Sequence, residues 1–393
     1  MKAGVLYPFK EETFLKLIHL SDLHLGKRVN EFSLIDDQKY ILQQILSVIR
    51  EEQPDAVILA GDIYDKPTPS SEAVNLLDDL LSELHALHVP VLIISGNHDS
   101  AERLPFAGRI LKDSRVFIAP AYHGEVSCVD LEDEFGTVHF WLLPFIKPIH
   151  VRTCHPDLEI ASYNDAMKVV LEEMDVDPAA RNILVTHQFV SSAQRSDSEE
   201  LSVGGTDQID LDLFKNFNYV ALGHLHRPQT LGSEKRVRYC GSPLKYSFSE
   251  ASGNKSVTVV TLDQSGNAEI TLRELIPMRD MVELKGSYDE LTALSFYDKT
   301  SYRDDYVHIT LTDEEDIPDA LGRLRAIYHN IMKLDYDNQR TRAITGELPE
   351  SPETLSPLDL FRRFYNAQNG SDPNEEQNLV VEEMIEKIWE GEP

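Results

Sequence analysis

The fold is indicated most directly by Val89-Pro90-Val91-Leu92-Ile93-Ile94-Ser95-Gly96-Asn97-His98-Asp99, an apolar run with polar residues directly behind it. The apolar part has the length of one buried strand. Two earlier segments repeat this order, and stretches with helical spacing or helix-capping residues separate them. The pattern is β-α-β-α-β, and open α/β sheets bind ligands at the carboxyl ends of their strands. The predicted strands are 15–20, 55–60 and 89–95, and the predicted helices are 36–52 and 69–88.

The middle of the sequence predicts a second, mixed or antiparallel sheet. Strand-like segments dominate 116–145, and a helix is predicted at 164–174. Polar residues again follow two strands, at His187 and at Gly223-His224-Leu225-His226. Segment 191–206 is polar and contains glycine, which predicts a mobile loop. We therefore expect an α/β fold of two sheets packed face to face with helices outside. The remaining predicted strands are 183–186, 219–222, 237–240, 256–262 and 268–274.

The pattern changes near Pro277, where we predict a domain boundary. Helix, strand and helix are predicted at 288–294, 306–311 and 319–332, which together form a small α+β appendage. A linker rich in Pro, Glu and Ser then leads to short amphipathic helices. The predicted division is an extension at 1–14, a main domain at 15–276, the appendage at 277–345, and an acidic tail at 346–393 with its linker at 346–357 and helices at 358–365 and 379–389.

Composition and charge exclude several classes of protein. Hydrophobic residues make up 41% and charged residues 26%, which is typical of a globular chain. The 67 acidic and 37 basic residues give a formal net charge of −30, which excludes a protein that binds nucleic acid through its own basic patch. A nucleic-acid enzyme remains possible if cations or a partner supply positive charge. No apolar run is long enough for a membrane helix. The weak basic stripe consists of Arg227, Lys235, Arg236 and Arg238.

The cysteines indicate the compartment. Cys128, Cys154 and Cys240 contain no CxxC pair, so we expect neither a disulfide scaffold nor a thiolate zinc site. This usage fits a reducing cytoplasm. The first fourteen residues lack the apolar core of a signal peptide and are interpreted as an extension before the first strand.

Five short segments, each directly after a predicted strand, offer imidazole or oxygen donors. Such donors together suit Mn, Fe or Zn. A site with seven such donors and no thiolate suggests two metal ions that share one carboxylate. Each segment alone is weak evidence, but the conjunction at strand ends favours a metal site strongly. The segments are Asp22-x-His24, Gly61-Asp62-x-x-Asp65, Gly96-Asn97-His98-Asp99, Thr186-His187 and Gly223-His224-x-His226.

Other residues keep ordinary interpretations. A leucine stripe with helical spacing is expected to pack in the core or against another subunit. The stripe is Leu76, Leu77, Leu80, Leu81 and Leu84. The nine remaining histidines are expected to be satisfied core or surface residues: His19, His85, His88, His123, His139, His150, His155, His308 and His329.

The five segments resemble the calcineurin-like metallophosphoesterase superfamily, whose fold is a two-sheet α/β sandwich with a dinuclear metal site. A narrower resemblance, to the nuclease subunits that act with a coiled-coil ATPase of the ABC type in bacteria, covers roughly residues 15–345. Besides the donor segments, Ile18–Lys27, Val203-Gly204-Gly205 and Tyr239–Phe248 carry it, the last through its GSP-x-x-x-SF pattern.

The resemblance implies a role for each donor. Two divalent ions, with Mn²⁺ expected, would clamp the attacking and leaving oxygens of a phosphodiester and activate a water. Uncoordinated His98 would contact the phosphate and protonate the leaving oxygen. Asp65 and Asp99 would orient the ligands, with surface caps as the alternative. The implied ligands are Asp22, His24 and His226 for the first ion, Asn97, His187 and His224 for the second, and Asp62 as the bridge.

The same resemblance implies a cytoplasmic DNA nuclease of repair, recombination and replication. It would act as a double-strand exonuclease and as a single-strand endonuclease at hairpins. The appendage would be a capping domain that faces DNA. The tail would dock the ABC ATPase in a heterotetramer that contains two copies of this chain. No membrane partner is implied. Two alternatives remain open: a phosphoesterase of the same fold that acts on a small molecule or protein, and a non-catalytic scaffold.

Overall fold

A computed structural model describes residues 14–191, 193, 208–315, 317–338, 357–369 and 372–390. The predicted loop at 191–206 lies outside the described residues except for 191 and 193, and so do the linker up to 356 and the extension up to residue 13. The chain forms two compact units, Met1–Thr310 with Pro318–Asp335, and Leu311–Ile317 with Tyr336–Pro393. The domain boundary near Pro277 stays a prediction.

The strands and helices of the described residues follow the predicted order over most of the chain. The strands are β1 (Leu15–Leu20), β2 (Arg28–Val29), β3 (Phe32–Ser33), β4 (Ala56–Ala60), β5 (Val91–Ile94), β6 (Val116–Ile118), β7 (Ser127–Asp133), β8 (Gly136–Leu143), β9 (Arg181–His187), β10 (Tyr219–Gly223), β11 (Gln229–Leu231), β12 (Val237–Tyr239), β13 (Lys255–Leu262), β14 (Ala268–Leu275), β15 (Met281–Gly286), β16 (Tyr306–Leu311) and β17 (Asn330–Tyr336). The helices are α1 (Ile35–Glu52), α2 (Ser71–Ala86), α3 (Gly108–Leu111), α4 (Pro148–Cys154), α5 (Tyr163–Glu173), α6 (Tyr288–Thr292), α7 (Leu294–Tyr297), α8 (Ala320–Arg325), α9 (Pro357–Asn369) and α10 (Glu375–Glu390).

Two six-stranded sheets form the centre of the first unit. The first has the order β14-β13-β1-β4-β5-β6, and the second has the order β11-β12-β10-β9-β8-β7. In the first sheet β1, β4, β5 and β6 are parallel, while β13 and β14 are antiparallel to their neighbours. In the second sheet β8, β9, β10 and β12 are parallel. The predicted mixed character of the second sheet is confirmed, since β7 and β11 are antiparallel to their neighbours.

Three apolar clusters hold these layers together. Residues such as Ile58 of β4 and Phe140 of β8 fill the space between the two sheets. A second cluster packs α1 and α2 on the outer face of the first sheet, and a third packs α4 and α5 on the second. The leucine stripe of α2 lies in this core, with Leu81 only partly buried. The predicted two-sheet sandwich with helices outside is therefore confirmed.

The prediction of a helix over 319–332 is wrong in its second half. Helix α8 ends at Arg325, and the following residues turn into strand β17. Tyr328 is buried in that turn and donates its hydroxyl hydrogen to the Leu291 carbonyl. Strand β17 pairs in a three-stranded sheet of order β15-β16-β17, of which only β16 was predicted. Periodicity over a short apolar run does not distinguish a helix from a strand, and here the pairing partner decides.

The predicted basic stripe is also partly wrong. Arg238 is buried on β12, where its guanidinium donates to Thr258 Oγ1 at 3.2 Å and to Thr230 Oγ1 at 2.6 Å. Arg236 forms an ion pair with Glu234 at 2.8 Å. The charge of Arg238 is therefore buried and that of Arg236 is compensated by its neighbour, which leaves the stripe weaker still.

Within the described part of the chain, none of the helices is both long and apolar enough to cross a membrane.

Candidate metal centre

The five donor segments meet because of the strand order. Strands β1, β4 and β5 are parallel neighbours in the first sheet, so the residues that follow them lie along one edge. Strands β9 and β10 are parallel neighbours in the second sheet and bring His187, His224 and His226 to its corresponding edge. Short distances across the two edges show that they face each other. The sheet order thus assembles one cluster from segments that are far apart in sequence.

The predicted ligands fall into two groups. Ligand atoms of Asp22, His24 and His226 lie within 4.8 Å of one another, and the two imidazole Nε2 atoms are 3.0 Å apart. In the second group, Asn97 Oδ1 lies 3.1 Å from His187 Nε2 and 3.0 Å from His224 Nδ1. These are the two sets that the sequence resemblance proposes, and the structure brings each set together. Their role as metal ligands remains a prediction.

Asp62 lies between the two groups. Its Oδ2 is 3.6 Å from His24 Nε2 and 3.3 Å from His187 Nε2. Its other oxygen accepts a hydrogen bond from the backbone N–H of His98 at 2.9 Å. One carboxylate therefore contacts a member of each group, which is the position that a bridging ligand needs.

The orientation of His187 shows that the donor set fits a cation. Its Nδ1 donates to the Ala60 carbonyl at 2.8 Å, so in the neutral ring Nε2 carries a lone pair. That lone pair faces two further acceptors, Asn97 Oδ1 and Asp62 Oδ2, at 3.1 Å and 3.3 Å. Three buried acceptor atoms that converge on one point need a positive charge between them. Fixing one ring nitrogen so that the other faces the metal is the usual arrangement for a histidine ligand.

Electrostatics point the same way. Burial raises the pKa of Asp22. Burial would also raise the pKa of Asp62, but the His187 imidazole beside it holds that pKa well below the usual range. Burial alone would lower the pKa of His187, but the charge of Asp62 raises it to about 9, so the Nε2 proton that this favours gives way when a cation binds there. Buried charges of this kind are costly unless opposite charges compensate them, and divalent cations would do so for both carboxylates.

The backbone at the site is held in a conformation that most residues avoid. Asp22, His24, Asp62 and His224 have positive φ angles of 53°, 43°, 50° and 103°. Left-handed backbone costs of order 1–3 kcal/mol per non-glycine residue and clusters at functional sites. Four of the seven predicted ligands thus carry local strain that the surrounding fold must offset.

Three glycines give the ligands room. A Cβ atom at Gly61 would collide with His187 Nδ1, one at Gly96 with Asp62 Oδ1, and one at Gly223 with the Ala60 carbonyl oxygen. Of the three glycines, Gly61 has a positive φ, of 88°. Gly61 and Gly223 allow close approach of the two sheets, and Gly96 leaves room for the Asp62 carboxylate beside it.

Asp99 and Asp65 take different positions around the cluster. Asp99 is buried and accepts hydrogen bonds from the backbone N–H groups of Ile63, Tyr64 and Gly96 at 2.9–3.0 Å. Burial and the charge of Asp62 raise its pKa to about 6. Asp65 pairs with Lys27 at 2.8 Å. Asp99 therefore ties the loops after β4 and β5 together, which fits an orienting role better than a surface cap.

His98 is half-buried beside the cluster. Its Nδ1 donates to the Asp65 carbonyl at 3.1 Å, and its ring meets the His24 ring edge-on at 4.7 Å between centroids. Ligand atoms of His24, Asp65 and His98 also lie within 4.8 Å of one another. The geometry alone therefore leaves His98 as a metal ligand or as a group that faces substrate.

Sequence reasoning missed a buried network behind His226. Glu250 Oε1 lies 3.6 Å from His226 Nδ1, and Glu250 forms an ion pair with buried Lys255. Lys255 also donates to Ser242 Oγ and to the His226 carbonyl, each at 2.8 Å. The network holds His226 so that its Nε2 faces His24. The available signal was the GSP-x-x-x-SF segment, which supplies Ser242 and leads directly to Glu250.

Comparisons with known proteins identify the family of the chain. The calcineurin-like phosphoesterase family matches residues 15–228, and the family described as the type 5 capsule protein repressor C-terminal domain matches residues 277–369. The chain belongs to the calcineurin-like phosphoesterase family. It is similar to the SbcD subunit of nuclease SbcCD from Staphylococcus epidermidis (strain ATCC 12228), with 34% identity over 324 residues, which cover 81% of this chain and 85% of that protein.

Similarity to solved structures is weaker. TT1561 of Thermus thermophilus gives a TM-score of 0.37 at 14% identity, covering 66% of this chain and 99% of its own. Another crystal structure gives 0.40 at 11% identity, covering 67% and 100%. The family membership confirms the predicted fold and the predicted class of enzyme, a phosphoesterase that depends on divalent metal ions.

Replacing Asp62 tests its position between the two ligand groups. A carboxylate shared by two ions stabilises both, so Asp62→Asn should leave well under two ions per chain. The measurement is metal content after equilibration with Mn²⁺ and gel filtration. Asp79→Asn, at an exposed position of α2, is the matched control and should keep both ions. Two ions retained by Asp62→Asn would contradict a bridging role.

Proposed function

We propose that this chain is the nuclease subunit of a DNA-processing complex, cleaving DNA as a double-strand exonuclease and as a single-strand endonuclease at hairpins. The observation that carries the proposal is the 34% identity to a protein named as a subunit of nuclease SbcCD, spread over most of both chains. The seven convergent donors support it, because two-metal sites of this composition suit phosphodiester cleavage. The net negative charge of the chain is compatible with a DNA substrate when bound cations and a partner supply positive charge.

The proposed residue roles follow the two donor groups. Asp22, His24 and His226 hold one divalent ion, Asn97, His187 and His224 hold the other, and Asp62 bridges them. Mn²⁺ is the proposed ion, since the donors are imidazole, carboxylate and amide oxygen without thiolate. When bound, such a pair of ions polarises the phosphoryl group and lowers the pKa of water. Asp99 and Glu250 keep the ligand loops and the His226 ring in place.

His98 is proposed to act on the substrate. Its Nδ1 hydrogen is committed to the Asp65 carbonyl, which fixes the ring and leaves Nε2 available. Its backbone N–H is bound to Asp62, so the ring stays beside the bridge. From there the Nε2 of a protonated ring can donate a hydrogen bond to the phosphate and pass its proton to the leaving oxygen.

Partner binding is proposed for the tail. In the second unit, Arg362 Nε donates to Asn378 Oδ1 at 2.8 Å and Gln377 Nε2 donates to Tyr365 Oη at 3.0 Å, so α9 and α10 contact each other through polar side chains. Apolar side chains remain exposed, and their presence favours a protein partner. They are Leu360, Phe364, Leu379, Val380 and Met384. On the same helices Leu358, Phe361, Val381 and Ile385 are partly buried, and the side chains of Ile388 and Trp389 lie outside the described set.

The partner proposed for this surface is the ABC-type ATPase SbcC, in a heterotetramer with two copies of this chain. Residues 277–345 are proposed as the capping domain that faces DNA. Self-association is proposed through the apolar residues Val74, Phe106 and Ile110, which are 43%, 83% and 73% exposed around α2 and α3.

The decisive experiment for the function is cleavage of a closed DNA hairpin. We expect cleavage that requires Mn²⁺, is weaker with Mg²⁺, and gains ATP dependence on double-stranded ends when the ATPase is added. Hydrolysis of bis-p-nitrophenyl phosphate is measured in parallel. Hydrolysis of the small ester without any DNA cleavage, with and without the ATPase, would favour the small-molecule or protein phosphoesterase. Activity on neither substrate would favour the scaffold.

Removing the His98 ring separates proton donation from metal binding. His98→Ala should keep two ions per chain and bind DNA, but cleave it about 10²–10⁴-fold more slowly, the usual range for general acid catalysis. A nitrophenolate leaving group needs little protonation, so hydrolysis of the small ester should fall less. Equal losses on both substrates would indicate phosphate positioning. Loss of one ion would instead make His98 a ligand.

Charged substitutions in the tail test partner docking. Phe364 and Leu379 are 64% and 59% exposed, so Phe364→Asp and Leu379→Asp should leave the fold and metal-dependent hydrolysis of the small ester unchanged. Each should abolish co-elution with the ATPase on gel filtration, because a charge replaces a buried apolar contact. The conservative change Glu382→Asp on α10 is the control. Unchanged co-elution of the Asp variants would place the docking surface elsewhere.

A further inference from the structure

A second group of metal-binding side chains lies on the hairpin formed by β7 and β8, at the edge of the second sheet. Cys128 and Asp130 lie two residues apart on β7 and therefore on the same face of the strand. His139 on β8 is the direct cross-strand partner of Asp130. Ligand atoms of the three residues lie within 4.8 Å of one another. None of them belongs to the phosphoesterase centre, and all three project from the face of the sheet that points away from the first sheet.

The contacts of the group converge on a single oxygen. The Cys128 thiol lies 3.6 Å from Asp130 Oδ1, and His139 Nδ1 lies 2.8 Å from the same atom. The sulfur and the imidazole nitrogen thus both lie next to one carboxylate oxygen, on two hydrogen-bonded strands. Because the strands fix the backbone, the three side chains need little reorganisation to bind together.

The distances fit a tetrahedral ion of the size of Zn²⁺. Bond lengths of about 2.3 Å to sulfur and 2.0–2.1 Å to nitrogen and oxygen place tetrahedral neighbours about 3.3–3.6 Å apart. The sulfur-to-oxygen separation of 3.6 Å already matches. The nitrogen-to-oxygen separation of 2.8 Å must open by about half an ångström, which the exposed side chain of Asp130 permits.

We propose that Cys128, Asp130 and His139 form a separate site for a thiophilic divalent cation, Zn²⁺, with the fourth position left to water. Binding deprotonates the Cys128 thiol and releases that proton to solvent. The thiolate and the carboxylate then neutralise the ion, and the neutral imidazole completes the set. The ion ties the edge strand β7 to β8.

The site was invisible to motif reasoning because its ligands follow hairpin register and not CxxC spacing. The expectation of no thiolate zinc site considered cysteine pairs alone. Cys128 and Asp130 share a face by strand alternation, and the pairing of Asp133 with Gly136 at the turn places His139 opposite Asp130.

Cobalt titration of the full-length protein, stripped of metal, tests this proposal. With Co²⁺ alone we expect a near-ultraviolet thiolate-to-metal absorption whose final amplitude corresponds to one thiolate-bound ion among three bound ions per chain, and which is bleached by Zn²⁺, since Zn²⁺ binds such sites more tightly. Cys128→Ser should abolish the absorption, and Cys154→Ser should retain it. Asp130→Ala and His139→Ala should weaken the apparent affinity by at least about 100-fold, since even outer-shell changes cost 10–100-fold. Glu132→Ala, on the same exposed face, is the matched control.

The outcomes also separate this site from the phosphoesterase centre. Asp62→Asn should lose the paired ions but keep the thiolate absorption, while Cys128→Ser should keep metal-dependent ester hydrolysis. No thiolate absorption in the unmodified protein would overturn the proposal and leave a hydrogen-bonded cluster only. An absorption unchanged in Cys128→Ser would also overturn it and would assign the sulfur to Cys240, which lies 3.0 Å from Ser21 beside the main centre.

Discussion

The contact between Asp62 and His187 is the interaction on which the rest of the structure depends. It joins the carboxyl end of β4 in the first sheet to the end of β9 in the second, at 3.3 Å between Oδ2 and Nε2. The His187 side chain also donates to the Ala60 carbonyl at the end of β4. One imidazole of the second sheet thus contacts both the backbone and a side chain of the first sheet, between residues 60 and 62. A Cβ atom at Gly61 or Gly223 would collide with the facing sheet, because the two sheets approach too closely for one.

This close approach makes the centre unfavourable by itself. Carboxylates and imidazoles are buried together, four residues have left-handed backbone, and acceptor atoms face one another. Each feature costs free energy that the apolar clusters on both sides of the sheets must offset. The same features are an advantage for a metalloenzyme, because the ligands are already in position and cations relieve the repulsion that remains. Stability and function are therefore coupled at this edge of the sandwich.

The net charge of the chain also bears on how it would bind a substrate. The chain carries a net charge of −30, and two of the four arginines and lysines that suggested a basic stripe are engaged within the fold or with an acidic neighbour. For the proposed DNA substrate, positive charge would then come from bound cations and from the proposed partner. Exposed apolar side chains on the tail helices are consistent with such a partner, and the proposed zinc site on the β7–β8 hairpin would add one more cation without changing the centre.

The sequence by itself determined most strands of both sheets, the donor segments and the family, because each polar segment directly follows an apolar run whose length identifies a strand. It also pointed to Asp22, Asp62 and the histidines, since their position after a strand predicts a shared edge. Tertiary structure alone decided what depends on long-range register. Strand β17 forms where a helix was expected, Arg238 turns inward, Glu250 and Lys255 fix His226, and Cys128 meets His139. Spacing along the chain cannot specify such contacts, because pairing across strands and burial between layers place residues together regardless of their separation in sequence.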